Sequence, residues 1–180
     1  KKPWLPILQF IMHISAIAPF AILVFDYIFG RLSVNPIQDL TRRTGLTALI
    51  LLLTSLACTP ASSLFSFRQA LKFRRPLGLY AFFYAALHLF IFIGVDYRFD
   101  FELMWLDVSQ KPYIFAGASA FVILSILAFT SYNLWKKRLG KTWKRLHRLV
   151  YLAAGLVGLH YAWVKKADLL RLSGEVTGPL

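Results

Sequence analysis

The chain has 180 residues, 58% of them hydrophobic, with a mean hydropathy of +0.58 and a formal charge of +13. Ordinary soluble domains are about 45–50% apolar and about 25% charged, whereas 16% of this chain is charged. The composition excludes a disordered chain and argues against a soluble enzyme, whose single core would have to bury all this apolar surface; Cys58 is the only cysteine, which excludes a disulfide scaffold.

A helix needs about 20 apolar residues to cross a bilayer, and five stretches qualify, at 5–29, 45–65, 76–95, 112–135 and 146–164. The first is too long for the apolar core of a signal peptide and no small-residue cleavage motif follows it, so no cleavable leader is expected. Pro60 falls near the far end of the second span. Pro76 and Pro112 are expected in the first turns of the third and fourth, where a helix tolerates proline. The connections between spans are short. The expected fold is an all-α integral membrane bundle, one domain over 1–180, with five spans and a sixth beyond Leu180.

The loops alternate in charge. The N-terminus holds Lys1 and Lys2. The second loop holds Arg68, Lys72, Arg74 and Arg75, and the fourth holds Lys136, Lys137, Arg138, Lys141, Lys144, Arg145 and Arg148, all without an acid. Thirteen of the 21 Lys and Arg residues thus fall on one side, and seven of the eight acids fall on the other; Asp26 lies near the outer end of the first span. The positive-inside rule puts the N-terminus and the second and fourth loops in the cytoplasm. It also accounts for the basic charge without nucleic acid, which is not expected as a partner.

The four histidines, His13, His88, His147 and His160, lie in or at the edge of spans. An ionisable residue there is costly and marks function by default, with interhelical hydrogen bonding as the alternative. At 1.5 Å per residue, His88 is about 18 Å and His160 about 21 Å from the cytoplasmic ends of their predicted spans. Two imidazoles at matching depth suit the axial ligation of a haem iron. Small and aromatic neighbours fit such a pocket: Ala81, Ala85 and Ala86 beside Tyr84 on the third span, and Gly155 and Gly158 on the fifth. His147, about 20 Å before His160, reads either as a second haem ligand or as an interfacial histidine among Lys144, Arg145 and Arg148. His13 reads as its partner or as packing.

With these residues in hand, the chain resembles the MsrQ family, the haem-binding membrane subunits of periplasmic protein-methionine-sulfoxide reductase systems, within the ferric reductase-like transmembrane superfamily. The likeness rests on RRPLGLYAFFYAALH (74–88), LAFTSYNLWKKRLGKTWKRLHRLVYL (127–152) and HYAW (160–163), with HISAIAPF (13–20) and DLTRRTG (39–45) in support. The resemblance implies a haem b electron carrier in the bacterial inner membrane, with His88 and His160 as the axial pair and His147 as a candidate second ligand. Its electrons would come from quinol or a cytoplasmic flavin reductase and pass to a periplasmic molybdopterin-containing partner, where the chemistry on the substrate takes place. It also implies possible FMN binding.

The NADPH oxidases of the same superfamily carry a second histidine on the third span. Here Arg74 stands in its place and cannot ligate iron. Arg74 and Arg75 present guanidinium forks suited to propionates or an FMN phosphate, or serve as positive-inside anchors. Tyr84, Tyr161 and Trp163 are candidates for lining the haem or the electron exit; Trp105 and Tyr113 read as interface-belt residues. The Lys136–Arg148 cluster suits an acidic reductase or anionic lipid. The alternatives are a ferric or other metalloreductase of the cytochrome b type and a haem-free transporter or scaffold.

Overall fold

The computed structural model describes residues 4–176, with side chains from residue 4 to residue 166. Lys1, Lys2 and the side chains of Asp168, Arg171 and Glu175, used in the charge pattern, lie outside the described residues, as does a span beyond Leu180. All regular structure among the described residues is helical: α1 (Trp4–Ile28), α2 (Pro36–Leu64), α3 (Leu71–Phe90), α4 (Phe101–Val108), α5 (Pro112–Phe129), α6 (Asn133–Leu146) and α7 (Leu149–Val176). A 3₁₀ turn, Arg68–Ala70, leads into α3, and a π-helical stretch, Ile91–Asp96, continues it. Four stretches among the described residues are long and apolar enough to cross a membrane: Trp4–Ile28, Pro36–Leu64, Arg68–Asp96 and Pro112–Phe129. The protein is a multi-pass membrane helical bundle. The fifth expected span falls on α7, where His160, Lys165 and Lys166 lower the hydropathy.

Several boundaries differ from those read by hydropathy. α2 begins at Pro36 rather than 45, because Asn35 caps it, its Oδ1 accepting from the Gln38 N–H at 3.2 Å, with proline in the first turn and Asp39 near the positive end of the dipole. α3 begins at Leu71, so Pro76 lies inside the helix and not in its first turn; it removes the bond to the carbonyl one turn back. The fourth span stops at Phe129 instead of 135. The Thr130 hydroxyl donates to the Ile126 carbonyl at 2.7 Å, and the Trp143 indole N–H captures the Thr130 carbonyl at 2.9 Å, so the last turn closes on side chains. What hydropathy reads as the end of that span and a short loop is α6, an exposed basic helix bent at Gly140, whose φ of 49° and ψ of −119° suit only glycine. His147 therefore ends α6, and α7 starts at Leu149, not at 146.

The described chain falls into two units, one ending at Phe101 and one starting at Glu102. In the first, α3 packs along α2, and α1 lies against both. Cys58, Ala70, Phe73 and Leu77 form its buried core, with Leu5, Leu8 and Met12 of α1 packed on it. The Ser55 hydroxyl donates to the Arg74 carbonyl at 2.8 Å and ties α2 to α3. Tyr84, 1% exposed, ties α3 to α1: its hydroxyl donates to the Ala16 carbonyl at 2.8 Å and accepts from the Phe20 N–H at 3.0 Å, beside Pro19.

Arg43 closes the opposite end. Its Nη1 reaches Asp26 of α1 at 2.6 Å, while Nε and Nη2 take the Asp39 carboxylate at 3.0 and 2.9 Å. A lysine can offer only a point charge to this fork. Arg43→Lys is therefore expected to cost about 1 kcal/mol, modest because the side chain is 39% exposed, and to appear as a lower midpoint in thermal unfolding in detergent.

In the second unit, α5 packs along α7. Ala116 and Ala120 of α5 and Ala153 of α7 are buried and let the two backbones approach closely.

Candidate functional site

The histidines divide by what holds them. His88, on α3, donates its Nδ1–H to the backbone carbonyl of Thr41 on α2 at 2.9 Å. His160, on α7, donates its Nδ1–H to the carbonyl of Tyr113 on α5 at 2.7 Å. A carbonyl only accepts, so in both rings Nδ1 carries a proton, and in the neutral ring Nε2 then has the lone pair. That tautomer presents Nε2 to a metal, and the backbone bond behind it fixes the ring and raises its basicity.

Each ring also lies over a glycine one turn beyond the carbonyl that holds it. A Cβ on Gly45 would stand 3.0 Å from His88 Nδ1, and one on Gly117 would stand 2.9 Å from His160 Nδ1. Both carbonyls are near the N-terminal ends of their helices, α2 and α5. Each cradle, taken by itself, suits a rigidly held imidazole ligand.

His147 is held differently. Its Nε2 meets the Thr130 hydroxyl at 3.1 Å, and that hydroxyl also lies within reach of the Ile126 carbonyl. A hydroxyl can both donate and accept, so this contact serves either tautomer of the ring, unlike the carbonyl contacts of the other two. Its ring stacks on Trp143 at a centroid distance of 4.0 Å. His13 is exposed on α1, its Nδ1 at 2.9 Å from the Tyr80 hydroxyl of α3.

The other expected residues take varied places. Arg74 Nη1 donates to the Thr59 hydroxyl at 3.1 Å, which commits part of its fork to α2, whereas Arg75 is exposed. Tyr84 spends its hydroxyl on α1. Tyr161 and Trp163 are exposed. A Cβ at Gly155 or Gly158 would meet nothing within 4 Å, so the glycines that close on the histidines are Gly45 and Gly117, on the facing helices. Helix starts also alter the depth count: from Leu71 and Leu149, His88 lies about 26 Å and His160 about 16 Å along their helices. The carbonyl partners and the glycines escaped the sequence reading. One signal for them was present: a glycine four residues after Thr41 and again after Tyr113, with a histidine 47 residues beyond each of those two.

A family model described as the ferric reductase like transmembrane component matches residues 44–158. A protein of Herminiimonas arsenicoxydans is 44% identical over 92% of this chain and 76% of its own length. One of Caulobacter vibrioides is 42% identical over 88% of this chain and 76% of its own. One of Rhodospirillum rubrum is 47% identical over 79% and 69%. All three are named protein-methionine-sulfoxide reductase heme-binding subunit MsrQ. No solved structure matches. With a family model over most of the chain and relatives 42–47% identical over most of its length, the chain belongs to the MsrQ family of ferric reductase-like transmembrane proteins.

Proposed function

We propose that this chain is a haem b electron-transfer subunit of the bacterial inner membrane. It carries electrons from quinol or a cytoplasmic flavin reductase to a periplasmic molybdopterin-containing reductase that repairs methionine sulfoxide in oxidised proteins. The observation that carries the proposal is the tautomer shared by His88 and His160, each with Nδ1–H on a backbone carbonyl and a lone pair on Nε2. The names of the relatives supply the process the subunit would serve.

Haem, when bound, supplies one-electron chemistry at its iron. The chain's own residues do the rest. Thr41 and Tyr113 hold the two imidazoles from behind and, by accepting from Nδ1, strengthen Nε2 as a donor to iron. Exposed Arg75 remains the freer of the two arginines for a propionate or an FMN phosphate. The fifth span of this reading is α7, which bears His160.

The absorbance spectrum of the full chain, purified after expression with haem supplied, tests the proposal. A Soret band with sharp visible bands on dithionite reduction is the expected result. A colourless, folded protein would overturn it.

A further inference from the structure

The contact between histidine, carbonyl and glycine occurs twice, with the same separation of 47 residues between carbonyl and ring. In an α-helix the Cβ of each residue leans toward the N-terminus and covers the turn before it. The residue one turn after a carbonyl is therefore the one whose side chain would shade that carbonyl. Glycine at 45 uncovers the Thr41 carbonyl, and glycine at 117 uncovers the Tyr113 carbonyl. Each carbonyl keeps a second lone pair after its bond within the helix, and the histidine of the facing helix reaches it there.

The geometry points to Gly45 and Gly117 as paired positioning residues that set the tautomer and ring placement of His88 and His160. Neither touches the metal position; each acts through the ring it admits. The arrangement makes α2–α3 and α5–α7 two copies of one ring-holding helix pair, built on backbone carbonyls and not on the side chains of Thr41 and Tyr113. The effect of a methyl group should be larger at 117, where three ring atoms lie within 3.3 Å of the added carbon, than at 45, where two do. The link from ring placement to iron rests on the haem reading above; the placement itself does not.

The test therefore has a haem-free arm and a haem-loaded arm. In the first, the full chain is prepared without haem and with 15N-labelled histidine, and imidazole nitrogen shifts are assigned by His88→Gln and His160→Gln. Wild type should show both rings protonated at Nδ1. Gly117→Ala should return His160 to the mixture of tautomers seen in water and leave His88 unchanged. Gly45→Ala should do the reverse, and Gly155→Ala, which adds a methyl group to open space on α7, should change neither.

Unchanged ring signals in both glycine variants would overturn the inference. So would loss of both rings' signals in one variant, because the glycine would then act on the whole fold. In the haem-loaded arm, Gly117→Ala should weaken haem retention about tenfold and shift the largest electron paramagnetic g value. If wild type takes no haem while the nitrogen shifts behave as stated, the haem reading fails and the positioning role stands.

Discussion

His88→Ala and His160→Ala are each expected to abolish low-spin haem, read as loss of the sharp reduced visible bands in the purified protein. If the two rings hold the haem as proposed, removing either would leave a single imidazole to bind the iron, too weak to keep it low-spin. The two losses should be alike in kind, because both rings are oriented in the same way, through Nδ1 on a carbonyl. His13→Ala is the control: its ring is exposed and meets the Tyr80 hydroxyl, so the spectrum should be unchanged. His147→Ala, measured as the ratio of haem to protein, should leave that ratio at the wild-type value if one haem is bound. Retention of the low-spin bands in both His88→Ala and His160→Ala would show that the ligands are elsewhere.

Tyr84→Ala is expected to give the largest loss of stability. Among the described residues Tyr84 is the largest side chain buried below 2% exposure, and deleting a buried aromatic ring costs about 3–5 kcal/mol. It would also strip α1 of its hydroxyl bridge at Ala16 and Phe20. That bridge sits beside Pro19, where the helix has already lost one backbone donor. Tyr84→Phe keeps the ring and loses only the two hydrogen bonds, at about 1–2 kcal/mol. Thermal unfolding in detergent should therefore rank wild type above Tyr84→Phe and Tyr84→Phe well above Tyr84→Ala. Equal midpoints for the two variants would mean that the ring contributes nothing beyond its hydroxyl.

The helices themselves were legible where hydrophobicity is continuous. The expected first span, 5–29, and the observed α1, Trp4–Ile28, agree to a residue at each end. The ends of α2 and α5 were less so, because a hydropathy pattern marks where a bilayer would begin and a helix stops where its backbone groups find other partners. Asn35 extends α2 outward, and Trp143 cuts α5 short by taking the Thr130 carbonyl from a distance of 13 residues in sequence. α6 was hidden for a related reason: its dense Lys and Arg residues read as a loop, although they are good helix formers.

At the candidate site, the rarity of histidine in apolar helices picked out four rings, and predicted depth with the family resemblance singled out His88 and His160. What holds them depends on which turn of α2 faces α3 and which turn of α5 faces α7. No periodicity within one helix reveals that pairing. The glycines at 155 and 158 drew attention because they share a helix with His160, whereas the space a ring needs is cleared on the helix opposite.

The π-helical turns of Ile91–Asp96 hold one residue more than α-helical turns would in the same rise. The surplus lies just after His88, on the side leading to the loop at Arg98 and Phe99, both at positive φ. Losing one residue there would restore an α-helix and turn the remaining residues of that stretch by about 100°, leaving the register of His88 against Thr41 untouched. The loop can therefore be lengthened or shortened at this stretch while the turn bearing His88 stays seated against Thr41.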